Sequence, residues 1–348
     1  MIEVLPPEPR SLDRYAPQAR FRPLGTEGQA SLSRARVALV GLGALGSRAA
    51  EGLARAGVGT LRLIDRDVVE LSNLHRVALH DESDAEAARP KAVSAARHLR
   101  RLRSDLELDL RVDDLTGENA LELLRDVDLV LDGSDNFETR LVLNEACLEL
   151  GLPWVHAACS GSTAVAWALL PGRGACFACQ VSEPPPPEKA QTCAVEGVIP
   201  PAVGLAVAVQ VGEALKILSG REDELLPGPW THDAWTGRGA CFAVPAEPEC
   251  AACARRSWSW LGRPAGPALQ QCGRDAVQLR PASLAEGVDL AALADRLESA
   301  GEVEHNDFLV RLELGPERLT VFRDGRVLVS GTSDPGRARG LVATALGT

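Results

Sequence analysis

The sequence predicts an α/β fold: a doubly wound, Rossmann-like and mostly parallel sheet, followed by a small α+β domain. Short apolar runs alternate with segments of helical periodicity from residue 36 to about residue 170, which is typical of a parallel sheet with crossover helices. A glycine turn, Gly41-Leu42-Gly43-Ala44-Leu45-Gly46, stands between the first apolar run and the first helical segment. From residue 276 onward the pattern changes to short strands accompanied by two helical segments.

The elements follow in order from this pattern. Residues 1–34 are rich in proline and arginine and predict an arm with a short helix near 26–33. The main domain, residues 35–262, is predicted to hold strands at 36–40, 60–64, 106–112, 127–132, 153–157 and 162–170. Its predicted helices run from the end of the glycine turn to about residue 56 and over 90–102, 119–124, 140–150 and 200–219. Residues 263–270 look like a linker. The last domain, residues 271–348, is predicted to hold strands at 276–280, 307–314, 317–323 and 326–330, and helices at 289–300 and 335–346.

Composition narrows the possible partners and compartments. The 348 residues carry 37 basic and 48 acidic side chains, a net charge of −11, so no basic face for nucleic acid or an anionic membrane is expected. The N-terminus lacks a signal-peptide pattern, and the most apolar segment, residues 202–211, is too short to span a bilayer. Nine cysteines are too few for a disulfide scaffold. A cytoplasmic protein is therefore expected.

The glycine turn predicts a nucleotide site. Gly41, Gly43 and Gly46 form a G-x-G-x-x-G pattern after a strand and before a helix, where backbone amides can approach a phosphate. Asp65 ends the second strand, where a carboxylate can accept hydrogen bonds from a ribose. NAD, FAD and ATP fit this pattern equally.

The residues after Asp65 favour a polyphosphate. Asn73, Arg76 and Lys91 would bring an amide and two cations toward the nucleotide, and a reaction that splits a triphosphate needs such charges on the transferring group. A lone arginine or lysine is usually a solvated surface cation. Lys91 is less easily dismissed, because only 3 of the 37 basic residues are lysines.

Asp135 and Asn136 follow a buried strand, at the edge where doubly wound sheets bind ligands. Asp135 suits Mg²⁺, which is often held by one or two carboxylates together with substrate phosphates. The pair can equally be a simple N-cap for the next helix. The sequence leaves both interpretations open.

Two C-x-x-C pairs, Cys176/Cys179 and Cys250/Cys253, favour a structural tetrahedral zinc site. Redox dithiols are a weaker interpretation, because loop-like residues precede both pairs. Cys193 follows a proline-rich loop and precedes a helix, which suits either a nucleophile or buried filler. The remaining cysteines are predicted to be buried filler: Cys147, Cys159, Cys241 and Cys272.

Taken together and in this order, these motifs and Thr192-Cys193 resemble the ThiF/MoeB/HesA family, the bacterial relatives of ubiquitin-activating enzymes. The resemblance covers about residues 12–255. It implies a doubly wound sheet that forms a homodimer and an adenylyltransferase that uses ATP and Mg²⁺. The implied substrate is the C-terminal Gly-Gly carboxylate of a ubiquitin-like sulfur carrier protein, activated with release of pyrophosphate for molybdopterin, thiamine or related sulfur transfer. A sulfurtransferase or cysteine desulfurase is a further implied partner.

The resemblance also assigns roles by position. The nucleotide would be held by Gly41, Gly43, Ala44, Gly46, Asp65, Asp67, Ser72, Asn73, Leu74, His75, Arg76, Lys91, Asp135 and Asn136. Within this set Asp65 would bind the ribose, and Asp135 the Mg²⁺. Arg76, Lys91, Asp135 and Cys193 would be catalytic, Cys193 in sulfur transfer after adenylation. Zn²⁺ would be bound by Cys176, Cys179, Cys250 and Cys253.

One departure and two rival functions remain. The family's arm arginine that reaches the partner subunit's site is replaced by Pro17, so Arg14, Arg20 or Arg22 substitutes or the contact is lost. The rivals are an NAD-dependent oxidoreductase, with His156 as its candidate catalytic group, and a non-catalytic zinc-stabilised nucleotide-binding protein. The C-terminal domain is expected to recognise a carrier or stabilise the dimer.

Overall fold

The computed structural model describes residues 11–184, 196–263, 268–270, 275–284 and 287–347. These residues belong to two compact units that divide near residue 263. The helices of the first unit are α1 Ser11–Ala19, α2 Gly25–Arg34, α3 Ala44–Ala56, α4 Glu82–Glu86, α5 Lys91–Leu102, α6 Ala120–Leu124, α7 Phe137–Leu150, α8 Phe177–Gln180 and α9 Pro200–Leu218. Its strands are β1 Arg36–Val40, β2 Thr60–Ile64, β3 Glu107–Arg111, β4 Leu129–Asp132, β5 Trp154–Ser160, β6 Thr163–Leu169, β7 Trp230–Asp233 and β8 Gly239–Cys241.

The predicted doubly wound sheet is confirmed. Its order is β3-β2-β1-β4-β5-β6-β7-β8, and the strands from β3 to β5 run parallel. The chain moves outward from β1 to β3 and then crosses back to β4, so the strand order reverses between β1 and β4. In doubly wound sheets, ligands bind at the carboxyl ends of the strands at this reversal.

The strand residues explain why both faces are covered. On β1, Leu39 faces a core formed with α3, α5 and α9, whereas Ala38 and Val40 face a second core formed with α6 and α7. Successive side chains of a strand point to opposite faces, so an unbroken apolar run places one core on each side. Each fully buried leucine contributes about 1.5–3 kcal/mol to folding.

Helix α9 crosses the first core. Its length and apolar composition would also allow it to span a membrane. In the structure it packs on α3, β5 and β6, and its Gln210 amide donates to the carbonyls of Asp132 and Val155 at 2.8 and 2.9 Å. A buried glutamine that joins two strand ends is typical of a core helix in a globular domain.

Several boundaries differ from the sequence predictions. The arm contains two helices, α1 and α2, instead of one. Helix α7 begins at Phe137 rather than at residue 140, because Asn136 caps it. Strands β6 to β8 run antiparallel at one end of the sheet, since β5 turns back through Gly161, which has a φ of +57°.

The second unit is an antiparallel sheet with two helices on one face. Its strands are β9 Ala268–Gln270, β10 Ala276–Leu279, β11 Glu302–His305, β12 Leu309–Leu314, β13 Glu317–Phe322 and β14 Val327–Ser330, in the order β11-β12-β13-β14-β10-β9. Helices α10, Leu290–Leu297, and α11, Pro335–Leu346, pack on it around Val321. The predicted linker is wrong at residues 268–270, which pair with β10, and β11 had not been predicted.

Candidate active site

The three glycines of the turn have different surroundings. Gly41 adopts a φ of +84°, and a Cβ there would lie 2.7 Å from the Gly133 carbonyl oxygen. A Cβ at Gly46 would lie 1.8 Å from the Gly41 carbonyl oxygen. A Cβ at Gly43 would have no described atom within 4 Å. Two glycines therefore allow tight backbone packing, and the third leaves room at the start of α3, as a phosphate-binding turn requires.

Asp65 braces this turn. Its buried carboxylate accepts the Leu42 N–H through Oδ2 and the Asp67 N–H through Oδ1, both at 2.6 Å. Burial raises the pKa of Asp65, the charge of Asp67 adds to the effect, and the ammonium of Lys91 opposes it. The carboxylate thus fixes the loop geometry beside any ribose it contacts.

Lys91 is buried at the same edge. Its Nζ lies 2.9 Å from an Asp67 oxygen, its side chain is 7% exposed, and its N–H donates to the Asp67 carbonyl. An ammonium has three donors, so it can keep Asp67 and still contact a phosphate. The lysine is thus a buried, paired cation and not a solvated surface charge.

Sequence reasoning missed Arg66, which is enclosed between these acids. It donates to both Asp114 oxygens at 2.9 Å and lies 3.8 Å from an Asp67 oxygen. Burial opposes its charge, but the negative charges of Asp114 and Asp67 raise its pKa. Its position between two aspartates in the sequence was the only available signal.

Arg76 is oriented without being neutralised. Its Nη2 donates to Asn73 Oδ1 at 2.9 Å and its Nη1 to the Ser72 carbonyl at 3.0 Å. Among the described residues no carboxylate lies within 4.0 Å of its charge. Asn73 is buried, whereas Ser72 and His75 are exposed and Leu74 is half-buried. A fixed arginine of this kind is suited to bind an anion.

Asp135 and Asn136 follow the end of β4, and the structure bears on whether they bind Mg²⁺ or cap the next helix. Asn136 Oδ1 accepts the Thr139 N–H at 2.8 Å, so this side chain is an N-cap of α7. Asp135 is exposed, and its charge acts on Arg66. An exposed carboxylate at the sheet edge is chemically suited to Mg²⁺.

Asp132 lies beneath this motif and also escaped sequence reasoning. It is fully buried and accepts from Ser134 Oγ at 2.6 Å and from His156 Nδ1 at 2.7 Å, with Arg140 Nε at 3.4 Å. Burial alone would raise the pKa of Asp132, but His156, Arg140 and Ser134 hold it below its usual range. Burial lowers the pKa of His156. His156, the candidate of the oxidoreductase alternative, is thus occupied with Asp132 inside the core.

His80 lies under the glycine turn. Its Nε2 contacts the Leu42 carbonyl oxygen at 2.9 Å, and its Nδ1 contacts Ser94 Oγ at 2.8 Å. Ser94 in turn contacts the fully buried Asp84 at 2.7 Å. Burial, with the charge of Lys91, lowers the pKa of His80 to about 4. The ring is therefore neutral at pH 7, and Nε2 carries its proton because a carbonyl only accepts.

The four predicted zinc ligands come together. Cys176 Sγ lies 3.8 Å from Cys179 Sγ and 3.7 Å from Cys250 Sγ, and Cys179 Sγ lies 3.5 Å from Cys253 Sγ. Sulfurs around a tetrahedral zinc with Zn–S bonds of about 2.3 Å are separated by about 3.8 Å. The cluster therefore fits zinc and is too open for disulfides.

The other described cysteines differ in burial, and the arm lies apart from the nucleotide edge, meaning the glycine turn and the carboxyl ends of β1, β2 and β4. Cys147 is buried as predicted, Cys159 is half-buried, and the prediction of buried filler is wrong for Cys241, which is exposed. Cys193 and Cys272 lie outside the described residues. In the arm, Gln18 donates to the Ala56 carbonyl at 2.8 Å, at the opposite end of α3 from the glycine turn. Within one subunit the arm is therefore far from the nucleotide edge.

The model of the ThiF family matches residues 15–252. The chain belongs to the ThiF family. It is 39% identical over 332 residues to the sulfur carrier protein ThiS adenylyltransferase of Bacillus subtilis, covering 94% of this chain and 97% of that protein. It is also 39% identical to the sulfur carrier protein adenylyltransferase of Thermus thermophilus, covering 70% of this chain and 90% of that one.

Two further proteins match parts of the chain. The adenylyltransferase and sulfurtransferase MOCS3 of Sus scrofa is 40% identical over 244 residues. The match covers 70% of this chain and 53% of that protein, so the chain spans about half the length of MOCS3. The crystal structure of Escherichia coli MccB with AMPCPP and MccA matches with a TM-score of 0.61 at 20% identity, covering 72% of this chain and 76% of that chain, which supports the fold alone. The chain is thus confirmed as an adenylyltransferase, and ATP is the nucleotide that the glycine turn had left open.

Proposed function

We propose that this enzyme adenylates the C-terminal Gly-Gly carboxylate of a ThiS-type ubiquitin-like sulfur carrier, with release of pyrophosphate. The supporting observation is the convergence of an open glycine turn, the fixed Arg76 and the buried Lys91 at one sheet edge. The ThiS-type substrate is favoured because the Bacillus subtilis relative covers 94% of the chain, whereas the Sus scrofa relative covers 70%.

The reaction joins two anions. A carrier carboxylate oxygen attacks the α-phosphorus, an acyl–phosphate bond forms, and the bond to the β-phosphate breaks, so that pyrophosphate leaves with the electron pair. The nucleophile is already ionised and no general base is required. The enzyme has to offset negative charge and align the reactants. Arg76 and Lys91 supply positive charge, and the amides at the start of α3 supply hydrogen-bond donors.

The remaining nucleotide ligands follow from their positions. Asp65 is proposed to accept from the ribose while it holds the turn. Asp135 is proposed to bind Mg²⁺, which when bound neutralises phosphate charge. Asp67 keeps Lys91 at the edge. Asn136 is proposed to cap α7 through its amide oxygen, and its amide nitrogen can still donate to the nucleotide.

The zinc cluster is proposed to be structural. Cys176 packs with Leu148 near the end of α7, whereas the magnesium candidate precedes the start of that helix. The 12 residues between Asn136 and Leu148 (148 − 136) correspond to about 18 Å of helix, which separates zinc from the reaction. The metal would stabilise the four cysteine side chains in their thiolate form.

Three expectations from the family resemblance remain proposals. The enzyme is proposed to act as a homodimer, since the arm lies away from its own subunit's nucleotide edge. Cys193 is proposed to take part in sulfur transfer after adenylation, with a sulfurtransferase or cysteine desulfurase as sulfur source. A cytoplasmic location, expected from the sequence independently of the resemblance, is also proposed.

Carrier-dependent ATP–pyrophosphate exchange with Mg²⁺ tests the function. The purified full chain is combined in turn with ThiS-type and MoaD-type carriers that end in Gly-Gly. Exchange is expected with the ThiS-type carrier and should disappear when its last glycine is deleted. Exchange that ignores the carrier's C-terminus, or no exchange with any carrier despite bound ATP, would contradict the proposal.

A further inference from the structure

Arg48 forms an unassigned contact with the proposed phosphate-binding segment. It lies in the second turn of α3, just after the last glycine of the turn. Its Nε donates to the Arg76 carbonyl at 3.2 Å. The preceding residue, Ser47, accepts the Ala78 N–H at 3.1 Å through its hydroxyl. Two consecutive residues of the nucleotide-binding helix therefore hold the segment that carries Arg76.

The direction of the side chain follows from helix geometry. The Cα–Cβ bonds of an α-helix tilt toward its N-terminus, so long side chains lie over the preceding turn. For Arg48 the preceding turn begins at Gly43, where a Cβ would meet open space. Its guanidinium is thus directed toward the end of the helix that the nucleotide approaches.

The charges of Arg48 and Arg76 are uncompensated in the described part of the chain. No described carboxylate lies within 4.0 Å of either guanidinium. The other buried or half-buried arginines described in the first unit all have such a partner: Arg62 with Asp109, Arg66 with Asp114, Arg89 with Asp84, Arg103 with Asp105, Arg140 with Asp132 and Arg221 with Glu224. Arg48 thus contacts the backbone of the residue that carries the other uncompensated charge, and two such arginines on adjoining segments are suited to bind a multivalent anion.

We propose that Arg48 is a positioning residue for the polyphosphate of ATP, which holds the Arg76 peptide and adds a second arginine charge at the start of α3. The inference deepens the proposed function and rests on it for the role of Arg76. It predicts that Arg48 matters for ATP and pyrophosphate, which carry the extra phosphates, and not for AMP.

Equilibrium binding of ATP and of AMP to the zinc-loaded full chain tests the inference without any carrier. Arg48→Gln keeps a donor for the Arg76 carbonyl and removes the charge, and it should weaken ATP binding about 10- to 100-fold. Its AMP affinity should stay within about twofold of wild type, as for Arg48→Lys, which should also retain most of the ATP affinity. Unchanged ATP binding, or equal losses for ATP and AMP, would overturn the inference.

Arg55 provides a matched control on the same helix. It is exposed and paired with Glu51 at 2.8 Å. Arg55→Gln removes the same charge from α3 and should leave both affinities unchanged. A loss of ATP affinity in this variant equal to that in Arg48→Gln would show a general charge effect and contradict a local role.

A double-mutant cycle tests whether Arg48 acts through Arg76. Arg48→Ala, which removes the donor to the Arg76 carbonyl as well as the charge, should cost less ATP affinity in an Arg76→Gln background than in the wild type. Equal losses in both backgrounds would overturn the positioning role. If wild-type protein binds ATP but shows no exchange with any carrier, the proposed function fails while these binding outcomes still decide the role of Arg48.

Discussion

The two ends of helix α7 are built on opposite principles. At its start, the nucleotide edge is held by backbone hydrogen bonds and paired charges, with two arginines left without described carboxylates. At its far end, four sulfurs lie within 4.8 Å of one another among a few apolar residues, Leu148 and Ala252 among them. A site built from charge can lose function and stay folded, whereas a segment with so small a core would depend on a metal bound by its cysteines.

Removing the zinc ligands should give the largest effect. Cys250→Ser should lower zinc content and destabilise residues 244–261 by about 5 kcal/mol or more, since structural zinc contributes about 10–16 kcal/mol in small zinc peptides. Zinc analysis and hydrogen exchange over that segment measure both. Cys241→Ser changes an exposed cysteine outside the cluster and serves as the control. Full zinc content and unchanged hydrogen exchange in the Cys250→Ser protein would disprove the assignment of Cys250 as a ligand.

A substitution among the charged residues at the nucleotide edge should mainly lower the reaction rate. Lys91→Ala should reduce ATP–pyrophosphate exchange by about 10²–10³-fold, the usual loss when one stabilising group at a transition state is removed. It should cost only about 1–3 kcal/mol of stability, from the carboxylates left without it. Lys216→Ala, which breaks a pair with Glu213 on α9, is the matched lysine control. A Lys91→Ala enzyme with a normal rate would remove this residue from the mechanism.

Lowering the pH should reduce the free energy of unfolding through protonation of His80. Burial lowers the pKa of His80 to about 4, against an ordinary histidine value of 6.5, so the unfolded chain binds the extra proton first as the pH falls. Its contribution is present above pH 6.5 and declines between pH 6.5 and 4, by about 2 kcal/mol at pH 5. Urea unfolding at pH 5 and 7 should show a smaller pH effect in His80→Gln. An identical pH effect in both proteins would exclude His80 as its source.

The smallest effects are expected for Asn136 and Asp135, two neighbouring residues at the start of α7 that should affect different properties. Asn136→Ala should lower stability by about 1 kcal/mol through loss of the cap and change the exchange rate less than about twofold. Asp135→Asn should do the reverse, with a stronger dependence on Mg²⁺ concentration. Thermal unfolding and exchange at several Mg²⁺ concentrations measure the difference. A rate loss in Asn136→Ala without loss of stability would show that Asn136 acts mainly through its predicted nucleotide contact.

Sequence patterns predicted the parts of the fold that local chemistry determines. The buried strands β1, β2 and β4 were found because each is a short run of mostly apolar residues. Helix α4 was missed because it is short and acidic, and β11 because its exposed residues give no apolar signal. The antiparallel return of β5 into β6 depends on tertiary packing, which apolar runs do not report.

The site was predictable to a similar depth. Lys91 was found because lysine is rare in this chain, and the four cysteines because their spacing is specific. The pairing of Lys91 with Asp67, the cluster around Asp132 and the contact of Arg48 with Arg76 join residues far apart in sequence. For Arg48 in particular, nothing in the local sequence distinguishes it from the exposed arginine at Arg55.

The open position at Gly43 offers a practical separation of recognition from chemistry. A methyl group there meets no described atom, yet it would occupy the space in which a phosphate approaches. Gly43→Ala would then give a folded, zinc-bearing protein that is impaired in loading nucleotide but keeps its surfaces for other proteins. This inactive variant could be used to capture the physiological carrier by affinity purification. It would also compete with the active enzyme for binding the carrier.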